Sequence, residues 1–381
     1  MGCYVSSGGS RAMTTLEHIK ESFYPSGAGE EALMLDALKK GIRGDSEVVS
    51  TYEQQLKRHF GASEAIATSS GYGSLVVALS AMGLKPGDNV LLTPTCPLCT
   101  VYALTFLRLE PVFCDISPDD FTIDLAMAEQ LINDRTKAII DIPMWGYPVD
   151  AQRVGEFAHS KGLFYLLDIA LAHKATWRGQ LLWKWADMAT FSTHHSKTLV
   201  TGEGGAVLTD NRELAHRARA FTQCHFNEAQ PVLNFSLSGL QAALGIARLQ
   251  RLEQDVQHRL DTMQTISQRL RNPFLHPLPV LAGGEPAGTR LLIRSLTGCN
   301  KSLLAFQIQS GIPSDIALYN CKALYQYPVL HERHASCPNA ERMLSSITTI
   351  PVHPEIGMPE IDTIVNVLNR FQPSDIKEEQ L

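Results

Sequence analysis

Phe191-Ser192-Thr193-His194-His195-Ser196-Lys197-Thr198-Leu199-Val200-Thr201-Gly202-Glu203-Gly204-Gly205 sets one lysine between two apolar, strand-like runs and four residues ahead of a Thr-Gly-Glu-Gly-Gly turn. Upstream, Leu163-Phe164-Tyr165-Leu166-Leu167 is a second apolar run, and it ends in Asp168. Apolar runs of this length and punctuation read as buried strands that deliver polar groups to one rim of a sheet. A lone lysine is ordinarily solvated. This one is locked between a buried-type strand and a glycine-rich turn, with an aspartate closing a strand nearby in sequence.

Working outward, Ala65-Ile66-Ala67-Thr68 reads as a short strand, followed by Ser69-Ser70-Gly71-Tyr72-Gly73-Ser74. Leu75, Val76, Ala78, Leu79 and Met82 then mark the apolar face of a helix. A strand, a Gly/Ser turn and a helix start aim backbone N–H groups at a phosphate. Gly71 and Gly73 permit the tight turn and the close approach of an anion. Lysine, strand-end aspartate and phosphate loop together are the set that pyridoxal phosphate requires. Asp88 to Pro94, Pro111 to Asp115 and Arg135 to Ile140 open further strand–helix units, and this alternation predicts an α/β fold with a mostly parallel sheet flanked by helices.

The flanks are read more coarsely. Residues 1–24 lack periodicity and are expected to form an N-terminal arm. Two helices are predicted between Gly29 and His59, separated by Gly44-Asp45-Ser46. A large domain over 25–275 includes the start of a long interdomain helix that opens after Asn234 and reaches towards Leu270. Pro277-Leu278-Pro279 and Ala282-Gly283-Gly284 mark the way into a smaller C-terminal α+β domain, 276–381. The final helix is expected from Met358 to Phe371. With 381 residues and 44% hydrophobic content the chain can bury a core of this size. Thirty-three basic against 39 acidic residues, a formal charge of -6, give no electrostatic case for nucleic acid or an anionic membrane. No run of 18 apolar residues exists, so no membrane helix is expected. Cys96-Pro97-Leu98-Cys99 has zinc or redox spacing but no second pair to complete a site, so core packing is the reading and no metal is expected.

Lys197 with its Thr-Leu-Val-Thr-Gly-Glu-Gly-Gly, preceded by Ser192, resembles the catalytic segment of the DegT/DnrJ/EryC1/StrS family, pyridoxal-phosphate-dependent enzymes of the aspartate aminotransferase-like fold type I. The likeness runs over roughly residues 25–372. It implies that Lys197 carries the cofactor and moves protons, that Asp168 pairs with the pyridine nitrogen, and that Ser192 donates to the phosphate. Gly71, Tyr72 and Gly73 match the phosphate loop in position. Asn234 matches an asparagine that reaches the phosphate of the neighbouring subunit, implying a homodimer with shared sites. His173 matches a histidine of the family, and Tyr325 falls in a substrate-side loop.

Three positions depart from the family pattern. Leu98 stands where an aromatic ring usually covers the cofactor, Leu171 where a glutamine usually lies near its 3′-oxygen, and Ser236 where an arginine is usual. His194 and His195 are unusual neighbours for the lysine. Strand alternation would send them to opposite sides, with either able to serve as an acid–base group near neutral pH. The resemblance implies a cytoplasmic aminotransferase moving an amino group from L-glutamate or L-glutamine to a keto-sugar, nucleotide-linked keto-sugar or keto-cyclitol, in secondary-metabolite or surface-sugar biosynthesis. Two readings stand beside it: elimination, dehydration or cyclisation of an amino acid, and a non-catalytic cofactor-binding homologue.

Overall fold

The computed structural model describes residues 19–22, 28–222, 233–330, 333 and 335–373. Of the expected arm, residues 1–18 and 23–24 therefore lie outside the described residues, as does the tail after 373. In chain order the strands are β1 (Glu64–Thr68), β2 (Asn89–Leu92), β3 (Glu110–Phe113), β4 (Thr136–Asp141), β5 (Phe164–Asp168), β6 (Thr176–Trp177), β7 (Gln180–Leu181), β8 (Met188–Ser192) and β9 (Gly205–Thr209). They continue with β10 (Leu275–Pro277), β11 (Gly284–Glu285), β12 (Arg290–Ser295) and β13 (Ile347–Pro351). The helices are α1 (Ala28–Lys40), α2 (Glu47–Phe60), α3 (Gly71–Ala81), α4 (Leu98–Phe106), α5 (Leu125–Leu131), α6 (Ala151–Ser160) and α7 (Arg212–Thr222). After them come α8 (Gly239–Leu249), α9 (Leu252–Arg269), α10 (Lys301–Gln309), α11 (Asp315–Leu318), α12 (Pro338–Ser346) and α13 (Met358–Arg370).

Seven strands form the main sheet in the order β1-β9-β8-β5-β4-β2-β3. β2, β3, β4, β5 and β8 pair in parallel, whereas β9 runs antiparallel to both β1 and β8. Six strands therefore point their carboxyl ends to one rim, and only β9 is reversed. The runs are largely apolar because helices cover the sheet: every residue of β2, β8 and β9 is buried. At the rim, Thr68 pairs with Gly205 and Gly205 with Ser192. This row brings the end of β1, the start of α3 and the end of β8 side by side, although they are far apart in sequence.

A second, antiparallel sheet has the order β10-β12-β13, with Leu275 opposite Ser295 and Arg290 opposite Pro351. The long helix expected after Asn234 is two helices, α8 and α9, parted at Gln250–Arg251. Ser238 caps α8 by accepting the Gln241 N–H, and α9 packs against α13. The small β11-β6-β7 ribbon has no counterpart in the sequence reading. Its strands are two residues each, too short for alternation to register.

Candidate active site

β8 ends at Ser192, and the chain then leaves extended conformation. Lys197 N–H bonds the His194 carbonyl at 2.9 Å, while Thr193 N–H bonds the Gly204 carbonyl at 2.8 Å and Thr201 N–H the Thr193 carbonyl at 2.7 Å. Lys197 therefore sits in a tight turn whose base is tied to both flanking strands. Gly204 holds φ +143°, and a Cβ there would meet Thr193 Oγ1 at 2.5 Å, so the turn needs a glycine at this point. The lysine side chain is half-buried and lines a cleft of about 400 Å³. Burial depresses its ammonium below the ordinary lysine range, with Arg290 pushing the same way. Cys99, Asp168 and Asp315 oppose this. The shift raises the share of neutral amine, the form that attacks a carbonyl.

Asp168 ends β5 behind the cleft wall and is 5% exposed. Its Oδ1 accepts the Ala170 N–H at 3.0 Å. Burial pushes its carboxyl up to about 6, against the Ala170 bond and the charge of Lys197, which pull it down. A buried carboxylate in that state is stabilised by a cationic partner.

Past the end of β1, on the same rim, Ser70 caps α3 by accepting the Gly73 N–H at 2.9 Å. The first N–H groups of a helix have no intrahelical partner, so those of Gly71 and Tyr72 are available to an anion. A Cβ on Gly71 would lie 2.5 Å from Ser192 Cβ, so glycine is what allows the helix start to close onto β8. Ser192 Oγ accepts the His194 N–H at 3.1 Å, which leaves its own proton to donate.

His194 lines the cleft, with Nδ1 3.3 Å from Ser196 Oγ and Nε2 3.7 Å from Glu203 Oε1. The two histidines do not point to opposite sides: their ring centroids are 3.8 Å apart. The expectation fails because alternation requires a strand, and the strand has ended two residues earlier. Burial and the adjacent His195 hold the His194 imidazole below its usual range. His173 is buried, and its Nε2 donates to the Ser192 carbonyl at 3.1 Å. Burial, with Lys197 and Arg259 nearby, drives its pKa down to about 3, so it stays neutral and holds the end of β8 in place. Tyr325 stands away from the cleft lining: its hydroxyl donates to Glu341 Oε1 at 2.6 Å and its ring packs on Phe113.

The model of the DegT/DnrJ/EryC1/StrS aminotransferase family matches residues 27–369. The chain belongs to that family. Among its relatives is the Bacillus subtilis (strain 168) spore coat polysaccharide biosynthesis protein SpsC, 27% identical over 363 residues, 87% of this chain and 92% of SpsC. Another is the GDP-perosamine synthase of Caulobacter vibrioides, 32% identical over 241 residues, 61% of this chain and 65% of the synthase. The fold matches the crystal structure of the aminotransferase TlmJ from Streptoalloteichus hindustanus with a TM-score of 0.86 at 21% identity, covering 92% of this chain and 98% of TlmJ.

Family membership makes this chain a pyridoxal-phosphate-dependent aminotransferase, and its own residues fit the cofactor. The Gly71–Ser192 contact closes a cradle of donors of the kind a phosphate needs, Asp168 is a buried carboxylate suited to a pyridinium, and Lys197 is a desolvated amine. The departures from the family pattern take definite form. Leu98, the first residue of α4, lines the cleft half-buried, so the contact offered to a ring there is aliphatic dispersion without a ring quadrupole. Leu171 also lines the cleft, and its backbone carbonyl accepts the Thr289 hydroxyl. Ser236 donates its hydroxyl to the Thr222 carbonyl and its backbone bridges to Thr68. Asn234 is exposed, with its Oδ1 taking the Ser236 N–H at 3.1 Å.

The sequence reading missed a group that shares the cleft with Lys197: Glu21, Trp145, Arg290, Asp315 and Tyr319. Trp145 adopts φ 52°, a left-handed conformation rare for a bulky side chain, in the turn directly after β4. Its indole N–H donates to Asp315 Oδ2 at 3.1 Å. The available signal was the strand-end position of Pro143-Met144-Trp145-Gly146, which marks the same rim.

Proposed function

We propose that this enzyme takes an amino group from L-glutamate or L-glutamine and delivers it to a keto-sugar, a nucleotide-linked keto-sugar or a keto-cyclitol. The observation that carries this reading is the desolvated Lys197 amine in a cleft of about 400 Å³, room for a sugar-sized ring beside the cofactor. The relatives named for spore coat polysaccharide biosynthesis and for GDP-perosamine synthesis support an acceptor of the sugar type. Pyridoxal phosphate, when bound, supplies a carbonyl for the incoming amine and an electron sink. Lys197 Nζ would hold and move the proton taken from the substrate carbon, Asp168 would keep the pyridine nitrogen protonated, and Ser192 with the α3 amides would anchor the phosphate.

The same reading makes the protein a cytoplasmic homodimer, with Asn234 of each protomer serving its partner's phosphate. Among the described residues no helix is long and apolar enough to cross a membrane. The experiment uses purified protein loaded with pyridoxal phosphate and mixed with single amino acids. Stoichiometric 2-oxo acid and pyridoxamine phosphate, followed by recovery of the visible band on adding a keto-sugar or keto-cyclitol, is the expected result. Catalytic ammonia release from one amino acid without an acceptor would replace transfer with elimination.

A further inference from the structure

Behind Thr289 and Arg290, α9 buries a second guanidinium whose charge the chain does not balance. Arg259 is 5% exposed, and its Nε has no hydrogen-bond partner. The carboxylate one helical turn before it, Asp255, lies 3.6 Å from Arg251 Nη2 on its other side. Among the described residues no carboxylate forms an ion pair with Arg259. Arg290 differs, because Asp315 and Glu21 lie against it. Burial first, then the charge of Arg290, lowers the Arg259 guanidinium to about 9, with Asp255 opposing. It is therefore a cation at neutral pH.

Three segments converge on this cation. Gly288, just ahead of β12, packs on its stem, for a Cβ there would meet Arg259 Cβ at 2.7 Å. Arg290 stands opposite Pro351, and the same antiparallel register followed two residues further brings Gly288 towards His353. His353 is 1% exposed, and its Nε2 donates to the Lys20 carbonyl at 2.9 Å. Burial, with Arg259 and Arg290 behind it, holds that imidazole down to about 4, so it is neutral and adds no charge. A buried charge without a counter-charge is costly to fold around. The depth of Arg259 and the close Gly288 contact admit a small ion and no bulky group. We infer that the chain binds a small monovalent anion of the halide class against Arg259, where α9 meets the start of β12 and the segment after β13, and that this anion supplies the missing counter-charge. Neither Arg259 nor His353 lines the cleft, and the inference is independent of the transfer reaction.

The test follows melting of the protein loaded with pyridoxal phosphate, in phosphate-free buffer, as chloride replaces the bulky anion gluconate at constant total salt. The melting temperature should rise along a saturating curve, by roughly 3 °C once chloride stands about a hundredfold above its dissociation constant. Arg259→Met should abolish the saturating rise and melt in gluconate no lower than wild type, because the unpaired buried charge is gone. Arg259→Lys, a cation with fewer donors, should keep a weaker rise. A general salt effect would climb without saturating and persist in Arg259→Met, which overturns the inference, as does identical melting in the two salts. Wild-type crystals soaked in bromide give a readout that needs no variant. An anomalous peak beside the Arg259 guanidinium is expected, and its absence overturns the site. A peak without the saturating rise is an adventitious ion only and overturns it equally. None of these outcomes touches the transferase reading.

Discussion

Lys197 and Asp168 stand at neighbouring strand ends of one rim, each paying a desolvation cost that the other partly offsets. Lys197→Ala should cut transamination by about 100- to 10,000-fold, the range for a lost positioned base, with the fold retained. Borohydride treatment of the loaded wild type should label the peptide containing Lys197 alone, and label elsewhere would remove it from the mechanism. For Asp168 the folded pKa, about 6, exceeds the starting value of 3.8, so between those values the folded state binds more protons than the unfolded. Its contribution to stability is therefore most favourable below about pH 4, falls as pH rises through 6 and is flat above. Cofactor-free Asp168→Asn should gain up to about 3 kcal/mol over wild type at pH 8 and almost nothing near pH 4, as read by thermal melts. Equal gains at both pH values would assign the effect to packing.

At the scale of elements, the proposed cofactor cradle is a helix start pressed onto a strand end. Gly71→Ala would set a Cβ 2.5 Å from Ser192 Cβ, against backbone-anchored atoms that have little room to move. The expected outcome is about 1–3 kcal/mol of destabilisation in denaturant melts together with weaker retention of pyridoxal phosphate on dialysis. An alanine variant that keeps both would mean the contact relaxes freely. Such elements were legible because their signals are local: apolar runs, Ser-Gly turns and a lysine beside glycines fall within a few residues of one another. The sheet alternation followed from them, whereas the expectation that Leu98 and Leu171 lie near Lys197 came from the family resemblance, and both residues line its cleft. Glu21, Arg290 and Asp315 were not legible, since each lies in an unremarkable segment and acquires meaning only through the other two. The His194–His195 pair was misjudged for a related reason, because a strand's end leaves little mark on sequence when polar residues continue the run.

For the whole molecule, the homodimer proposal makes a quantitative demand. Lys197→Ala and Asn234→Ala homodimers should each be impaired, but after subunit exchange the mixed dimers contain one site with both residues intact. Random exchange should then restore about a quarter of wild-type activity. Recovery no greater than the sum of the unmixed variants, or sedimentation as an active monomer, would defeat site sharing. The reversed strand β9 has a further consequence, for the order in which the chain is made. β1 pairs only with β9 in the main sheet, and Thr209, the partner of Glu64, emerges about 145 residues later. At ordinary synthesis rates this separates them by roughly 7–30 s. During that interval the end of β1, where the phosphate is proposed to bind, has no sheet to join, so on that proposal a nascent chain cannot capture the cofactor until β9 has left the ribosome.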